Sequence, residues 1–280
     1  MRNLSIIRRI CAIFVSIGTI AGILTAIVAR FVLPFRPRIT QVVVTLPRKH
    51  QHLDGLRIAF VTDTHIGPSF SADRLLPITE ALRREKPDIL LFGGDYISES
   101  PRFLDTAVPA FAATVPTARF GAYAVLGNHD VANIRSRVTK PLREIGVHVL
   151  ENDAACIETD HGELWIAGVD DAMIGKANVE ATFLQVPSGA ACICLWHEPD
   201  YADMAERYGP FLQLSGHTHG GQVRFPFLGP LALPRLGRRY TSGRYEIGDM
   251  TLYVSNGIGV YRPPVRLNCP PELVFVRLIS

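Results

Sequence analysis

The chain has 280 residues, 48% of them hydrophobic, which suits one well-buried domain with a short appendage and leaves too little for two large domains. A net charge of +3 and a pI near 8.6 are compatible with an anionic substrate or an anionic membrane surface and select neither. The cysteines Cys11, Cys156, Cys192, Cys194 and Cys269 are odd in number and lack C-x-x-C spacing, which excludes a disulfide scaffold and a thiolate zinc site; they read as buried thiols.

In chain order, a short basic tail, residues 1–9, precedes an uncharged apolar run over 10–29 that is flanked by Arg8, Arg9 and Arg30. At ~1.5 Å per residue such a run spans about 30 Å, the thickness of a bilayer's hydrocarbon core, and predicts one membrane-spanning helix. A cleaved signal peptide, a buried core helix and a twin-arginine export signal at Arg8-Arg9 are the rival readings. More basic residues follow the run (Arg30, Arg36, Arg38, Arg48, Lys49) than precede it (Arg2, Arg8, Arg9), so the positive-inside rule favours a cytoplasmic domain. Pro34, Pro37 and Pro47 suggest an extended connector over 30–54, with the globular part occupying 55–280.

Within that part, short apolar runs end in polar, glycine-containing turns: Leu56 to Val61 before Asp63, Ile89 to Phe92 before Gly93-Gly94-Asp95, and Tyr123 to Leu126 before Gly127-Asn128. Each predicts a buried strand whose exit carries chemistry. The helical spacing of Leu75, Leu76, Ile78, Thr79 and Leu82 predicts a helix over 72–85 between the first two. Later strands are expected at 164–168, 191–195, 211–214, 252–255 and 273–278, giving a layered α/β domain with two sheets and its ligand site outside the strand ends.

Five strand-end motifs then follow in order. Asp63-Thr64-His65 offers two ligands two residues apart, or a plain capping turn. Gly94-Asp95 exposes a carboxylate between small neighbours, or is a tight turn. Gly127-Asn128-His129-Asp130 sets an amide oxygen beside an imidazole, or is a hairpin turn. His197 after another apolar run is a ligand or a structural hydrogen-bonder. Gly216-His217-Thr218-His219-Gly220 places two histidines at i and i+2 between glycines that let backbone approach a ligand, with few structural excuses. Independent turns rarely assemble such a set.

The ordered pattern D-x-H, G-D, G-N-H-D, a lone H and G-H-x-H resembles the calcineurin-like metallophosphoesterase superfamily over 56–278. The runs 216–222, 254–259 and 264–273 are similar to its N-terminally anchored bacterial YkuE/YaeI-type branch. The resemblance implies a layered αββα sandwich. It assigns Asp63, His65 and His219 to one metal, Asn128, His197 and His217 to a second, and Asp95 as the bridge. It also implies hydrolysis of phosphoester or diphosphate bonds, with UDP-2,3-diacylglucosamine in lipid A synthesis or a phospholipid as substrates, and a bacterial inner-membrane location. One departure is Ser98, where many relatives carry a second acid that pairs with the catalytic histidine; Asp130 or Glu99 are the substitutes at hand.

Mixed oxygen and imidazole ligands suit Mn²⁺ first, with Fe²⁺ or Zn²⁺ as alternatives. Two such ions clamp the attacking and leaving oxygens at phosphorus and make hydroxide available near neutral pH. His129, beside a ligand but not itself one, is then expected to hydrogen-bond the phosphoryl group or protonate the leaving alkoxide. The apolar segment 225–234, followed by Arg235, Arg238 and Arg239, reads either as a loop touching acyl chains or headgroups, the arginines binding substrate, or as a buried strand and turn. Other readings are a phosphomonoesterase or protein phosphatase on the same core, and a catalytically silent regulatory protein on the membrane. No basic stripe interleaved with aromatics points to nucleic acid.

Overall fold

The computed structural model describes residues 2–98, 100–131 and 134–280, with side chains from residue 12 onward. Helix α1 (Arg2–Phe31) carries the apolar run, and the stretch Ala12–Phe35 has a mean hydropathy of 2.3 with almost none of it covered by protein. It is long and apolar enough to cross a membrane.

The strands, in order, are β1 (Arg38–Thr45), β2 (Arg57–Val61), β3 (Ile89–Phe92), β4 (Ala122–Ala124), β5 (Val147–Val149), β6 (Asp153–Thr159), β7 (Gly162–Gly168), β8 (Cys192–Leu195), β9 (Leu212–Ser215), β10 (Arg224–Phe225), β11 (Gly229–Pro230), β12 (Gly243–Ile247), β13 (Met250–Val254) and β14 (Glu272–Ile279). They form a sheet β1-β14-β2-β3-β4-β5, a second sheet β12-β13-β9-β8-β7-β6, and a small hairpin β10-β11. In each large sheet the central strands run parallel: β2 to β5 in one, β13, β9, β8 and β7 in the other.

The two-residue period of β2 explains the layering. Ile58 and Phe60 face the second sheet and pack with Ile166, Ile193, Leu195, Leu212 and Leu214, whereas Ala59 and Val61 face helices. Helices α2 (Leu76–Glu85), α3 (Leu104–Ala112) and α5 (Arg135–Glu144), the last following the short α4 (Asn128–Val131), bury Ile78, Leu82, Phe111, Val138 and Leu142 on that outer face. Helices α6 (Val179–Phe183) and α7 (Ala202–Glu206) cover the far side of the second sheet through Phe183 and Ala205. The result is the expected αββα sandwich.

Three expectations change. Residues 30–54 are not simply a connector: β1 pairs with β14 in register from Arg38↔Glu272 to Thr45↔Ile279. Only Val42 and Val44 of this edge strand are buried, so its apolar pattern is weak and the flanking prolines and basic residues mask it. Cys156 is exposed on β6, whereas Cys192, Cys194 and Cys269 are buried as expected; the Cys11 side chain lies outside the described residues. Segment 225–234 is no buried strand, because Phe227 and Leu228 stand fully in solvent at the tip of the β10-β11 hairpin.

Candidate metal centre

All the candidate ligands sit just past the carboxyl ends of parallel strands: Asp63 and His65 after β2, Asp95 after β3, Asn128 after β4, His197 after β8, His217 and His219 after β9. Cross-sheet bonds close the two ends on each other. The His217 N–H donates to the Asp63 carboxylate at 3.0 and 3.1 Å, and His197 Nδ1 donates to the Gly93 carbonyl at 2.6 Å.

Five of these residues, Asp63, His65, Asp95, His217 and His219, adopt left-handed backbone with φ between 43° and 70°. Non-glycine residues rarely do so, and such strain concentrates where side chains must converge. Glycines make the turns possible: a Cβ on Gly216 would overlap the Asp63 carboxylate and one on Gly127 the Asp95 carboxylate and the His197 ring.

The side chains meet in two groups, Asp63 with His65 and His219, and Asp95 with His197 and His217, and a third group, His65 with Asp95 and His129, overlaps both. Asp95 Oδ2 lies 3.4 Å from His65 Nε2 in the first group and 3.3 Å from His197 Nε2 in the second. His219 Nε2 is 3.5 Å from Asp63 Oδ1. Asn128 Oδ1 and His65 Nδ1 are buried with no hydrogen-bond partner among the described residues, and His197 Nε2 has only the Asp95 carboxylate near it at 3.3 Å. Leaving such atoms unpaired costs free energy, and a divalent cation satisfies the amide oxygen and the imidazole nitrogen. The second ring nitrogens are fixed as metal ligands require: His197 Nδ1 is held by Gly93 and His217 Nε2 by the Arg235 carbonyl at 2.7 Å, turning His197 Nε2 and His217 Nδ1 inward. The residues fit a dinuclear metal site.

Electrostatics agree. Burial pulls the Asp95 carboxyl upward, but the His197 and then His65 imidazoles outweigh it and hold it well below the usual carboxylate range. His219 is pushed far down by burial, His65 and the Arg266 guanidinium, which keeps it neutral; burial and His197 do the same for His217. His197 is opposed by burial but lifted well above its ordinary value by Asp95, so without metal it carries a proton.

His129 stands at the edge of this cluster, its ring 4.9 Å from His65 and 4.8 Å from Tyr261, and burial lowers its pKa. Of the two substitutes for the missing acid, Asp130 does not serve it. Asp130 spends both carboxylate oxygens on the N–H groups of Asp95, Tyr96 and Gly127, at 2.7, 3.0 and 3.0 Å. Glu99 lies outside the described residues, and Ser98 donates its hydroxyl to the His65 carbonyl.

The cleft over the cluster holds about 420 Å³ and is walled by Met173, Leu231 to Pro234, Tyr261, Arg262 and Pro263. Arg235, Arg238 and Arg239 are not part of that wall. The backbone N–H groups of Arg238 and Arg239 cap Asp200, and the Arg239 side chain pairs with Asp203. Arg262 is the arginine at the cleft, and Gln222 positions it by bonding the backbone of Tyr261 and Pro263. Sequence reading passed over Tyr261 and Arg262, whose one signal is an aromatic-basic pair inside a glycine- and proline-rich loop. It also passed over Arg266, a fully buried cation 3.3 Å from His219 Nδ1.

Residues 56–221 match the profile of the calcineurin-like phosphoesterases. The chain is 34% identical over 229 residues to an uncharacterized metallophosphoesterase, YkuE, of Bacillus subtilis, covering 81% of this chain and 80% of that protein. It is 30% identical over 238 residues to the phosphodiesterase YaeI of Escherichia coli, covering 80% and 82%. Among solved structures, the NAD nucleotidase of Haemophilus influenzae superimposes with a TM-score of 0.50 at 12% identity, over 73% of this chain and 46% of that one, which speaks for the fold alone. With an aspartate between two imidazole sets at the strand ends of a double sheet, and this profile across more than half its length, the chain belongs to the calcineurin-like phosphoesterase family and is a metal-dependent phosphoesterase.

Proposed function

We propose that the protein is a membrane-tethered phosphodiesterase that works with two divalent ions, Mn²⁺ foremost and Fe²⁺ or Zn²⁺ as alternatives. Asp63, His65 and His219 would hold one ion, Asn128, His197 and His217 the other, and Asp95 both. The observation that carries this is Asp95 Oδ2, which faces an imidazole of each group at 3.4 and 3.3 Å. When bound, such a pair supplies Lewis acidity at phosphorus and an activated water.

The protein's own side chains do the rest. Half-buried and, with its pKa lowered by burial, mostly neutral at physiological pH, His129 offers a ring N–H to a phosphoryl oxygen; protonating the leaving alkoxide would take its imidazolium form. Tyr261 packs against it, ring centroid to ring centroid at 4.8 Å. Arg262 is the one lysine or arginine side chain on the cleft wall among the described residues, which suits a singly charged diester better than a dianionic monoester. The relative named as a phosphodiesterase supports the same choice. The apolar wall of Leu231, Leu233 and Pro263 and the N-terminal helix support an amphiphilic substrate, a phospholipid or an acylated sugar nucleotide of the UDP-2,3-diacylglucosamine type in lipid A synthesis. The resemblance to the anchored bacterial branch supports an inner-membrane location, and the arginine and lysine excess after α1 favours a cytoplasmic domain.

The test is turnover of an aryl phosphodiester, an aryl phosphomonoester, a phospholipid and a UDP-linked acylated sugar by purified protein, with metal content measured in the same samples. Diester hydrolysis that follows metal loading supports the reading. Preferential monoester hydrolysis would replace it with a phosphatase, and inactivity with two metals bound would make the protein a binding module.

A further inference from the structure

Helix α1 is not a loose tether. The carbonyl of Ala29, a buried residue one position before Arg30 closes the apolar run, accepts the Arg266 N–H at 2.9 Å. The neighbouring Leu267 accepts the Arg224 N–H at 2.9 Å and donates to the Gln222 carbonyl at 2.9 Å, and the Asn268 side chain donates to the Arg224 carbonyl at 3.0 Å. Arg224 opens β10, which pairs with β11, and Leu231 beyond it donates to Val223 at 2.9 Å. A continuous hydrogen-bonded ladder therefore links the end of α1, the 266–268 segment and the hairpin. With about 4.8 Å between adjacent bonded chains, the hairpin base lies roughly 10 Å from the helix end.

Residues 225–231 of the hairpin are wholly uncharged, and four of its apolar side chains are exposed: Phe225 at 42%, Phe227 at 107%, Leu228 at 83% and Leu231 at 71%. An apolar patch of this kind on a soluble surface marks an interaction site. The three segments that meet here, 30–40, 223–235 and 257–271, contain no aspartate or glutamate, and they expose Arg36, Arg38, Arg235 and Arg262. An apolar tip within a basic, acid-free surround is complementary to an anionic bilayer, and its place beside the end of the helix that carries the uncharged run 10–29 gives it that bilayer as a neighbour.

We infer that the β10-β11 hairpin is a second membrane contact, its tip at Phe227 and Leu228 entering the headgroup region of the leaflet where α1 emerges. The metal cleft, whose wall is the returning arm Leu231 to Pro234, then opens at the membrane surface. This rests on the reading of α1 as a membrane anchor.

The test uses the full chain reconstituted in mixed phosphatidylcholine and phosphatidylglycerol vesicles, with and without lipids brominated on their acyl chains. Single variants Phe227→Trp and Leu228→Trp report the tip and Phe14→Trp reports α1, each compared with the parent protein, whose Trp165 and Trp196 lie in the second sheet or just past it. Both tip positions are exposed, so a larger ring is accommodated. The inference expects brominated lipid to remove roughly half of the added tip fluorescence, as for a ring at interfacial depth, and most of that at position 14. Quenching at position 14 with none at either tip position overturns the hairpin contact and leaves the anchor standing. Loss of quenching at position 14 as well overturns the anchor and this inference with it.

Discussion

The Asp130 carboxylate accepts the amide N–H of Asp95 at 2.7 Å, and the Asp95 carboxylate in turn accepts the amide N–H of His129 at 2.9 Å, so the β3 and β4 exits are tied in both directions. Asp130 also takes the N–H groups of Tyr96 and Gly127. Replacing it with alanine leaves three buried N–H groups unpaired, each worth about 1–3 kcal/mol. Asp130→Ala should lower unfolding free energy by several kcal/mol, on the order of 3 or more after partial relaxation. It should weaken metal binding by about 10–100-fold, since a ligand's support is lost. Denaturant unfolding and calorimetric metal titration measure the two effects; unchanged metal affinity would show that Asp95 needs no such support.

The role given to His129 separates chemistry from metal retention. His129→Asn keeps a polar side chain and the backbone N–H that Asp95 accepts. It should reduce kcat by about 10²–10⁴-fold, the usual contribution of a positioned proton donor, while elemental analysis still finds close to two ions per chain. A variant that loses its metals would make His129 structural instead.

Gly94 offers a purely steric test. It sits at φ +95°, and a Cβ there would overlap the backbone nitrogen of Gly127, which cannot swing away as a side chain could. Gly189, at φ +79°, has open space around the same position. Gly189→Ala should therefore cost only about 1 kcal/mol of conformational strain, whereas Gly94→Ala should cost several times more and also depress activity. Equal thermal shifts for the two would mean that the β3 and β4 exits can part without penalty.

How far the site was legible in the sequence follows from what fixes each part. Ligand types and order could be read because the double-sheet topology delivers them one strand exit at a time, from Asp63 to His219. The partner contacts could not. That Asp130 serves backbone rather than His129, and that Arg262 rather than Arg235 reaches the cleft, depend on loop paths between strands far apart in the chain. Strand β1 was hidden for the same reason: its partner Glu272–Ile279 is at the opposite end of the sequence, and only two of its eight residues are buried. For 225–234 the sequence left a lipid-touching loop and a buried strand both open, because an apolar segment ordinarily goes to a core, and only the fold shows Phe227 left outside.

The coupling between His197 and Asp95 makes metal binding pH-dependent in a defined direction. Without metal, Asp95 lifts the His197 pKa well above its ordinary value, so near neutral pH the imidazole holds a proton that an incoming ion must displace. Apparent affinity should therefore rise with pH, by at most about tenfold per unit for one displaced proton, and level off only above the raised pKa. The stability of the metal-free protein runs the other way. The protonated pair contributes fully below the unfolded histidine pKa of about 6.5, and that contribution is lost as pH rises through the raised folded value. Calorimetric titrations with Mn²⁺ between about pH 6 and 8, in buffers of different ionisation enthalpy, should show proton release on binding and tighter binding at the higher pH. Affinity that is flat across this range with no proton released would mean that His197 is already neutral and that Asp95 is not its partner in the metal-free state.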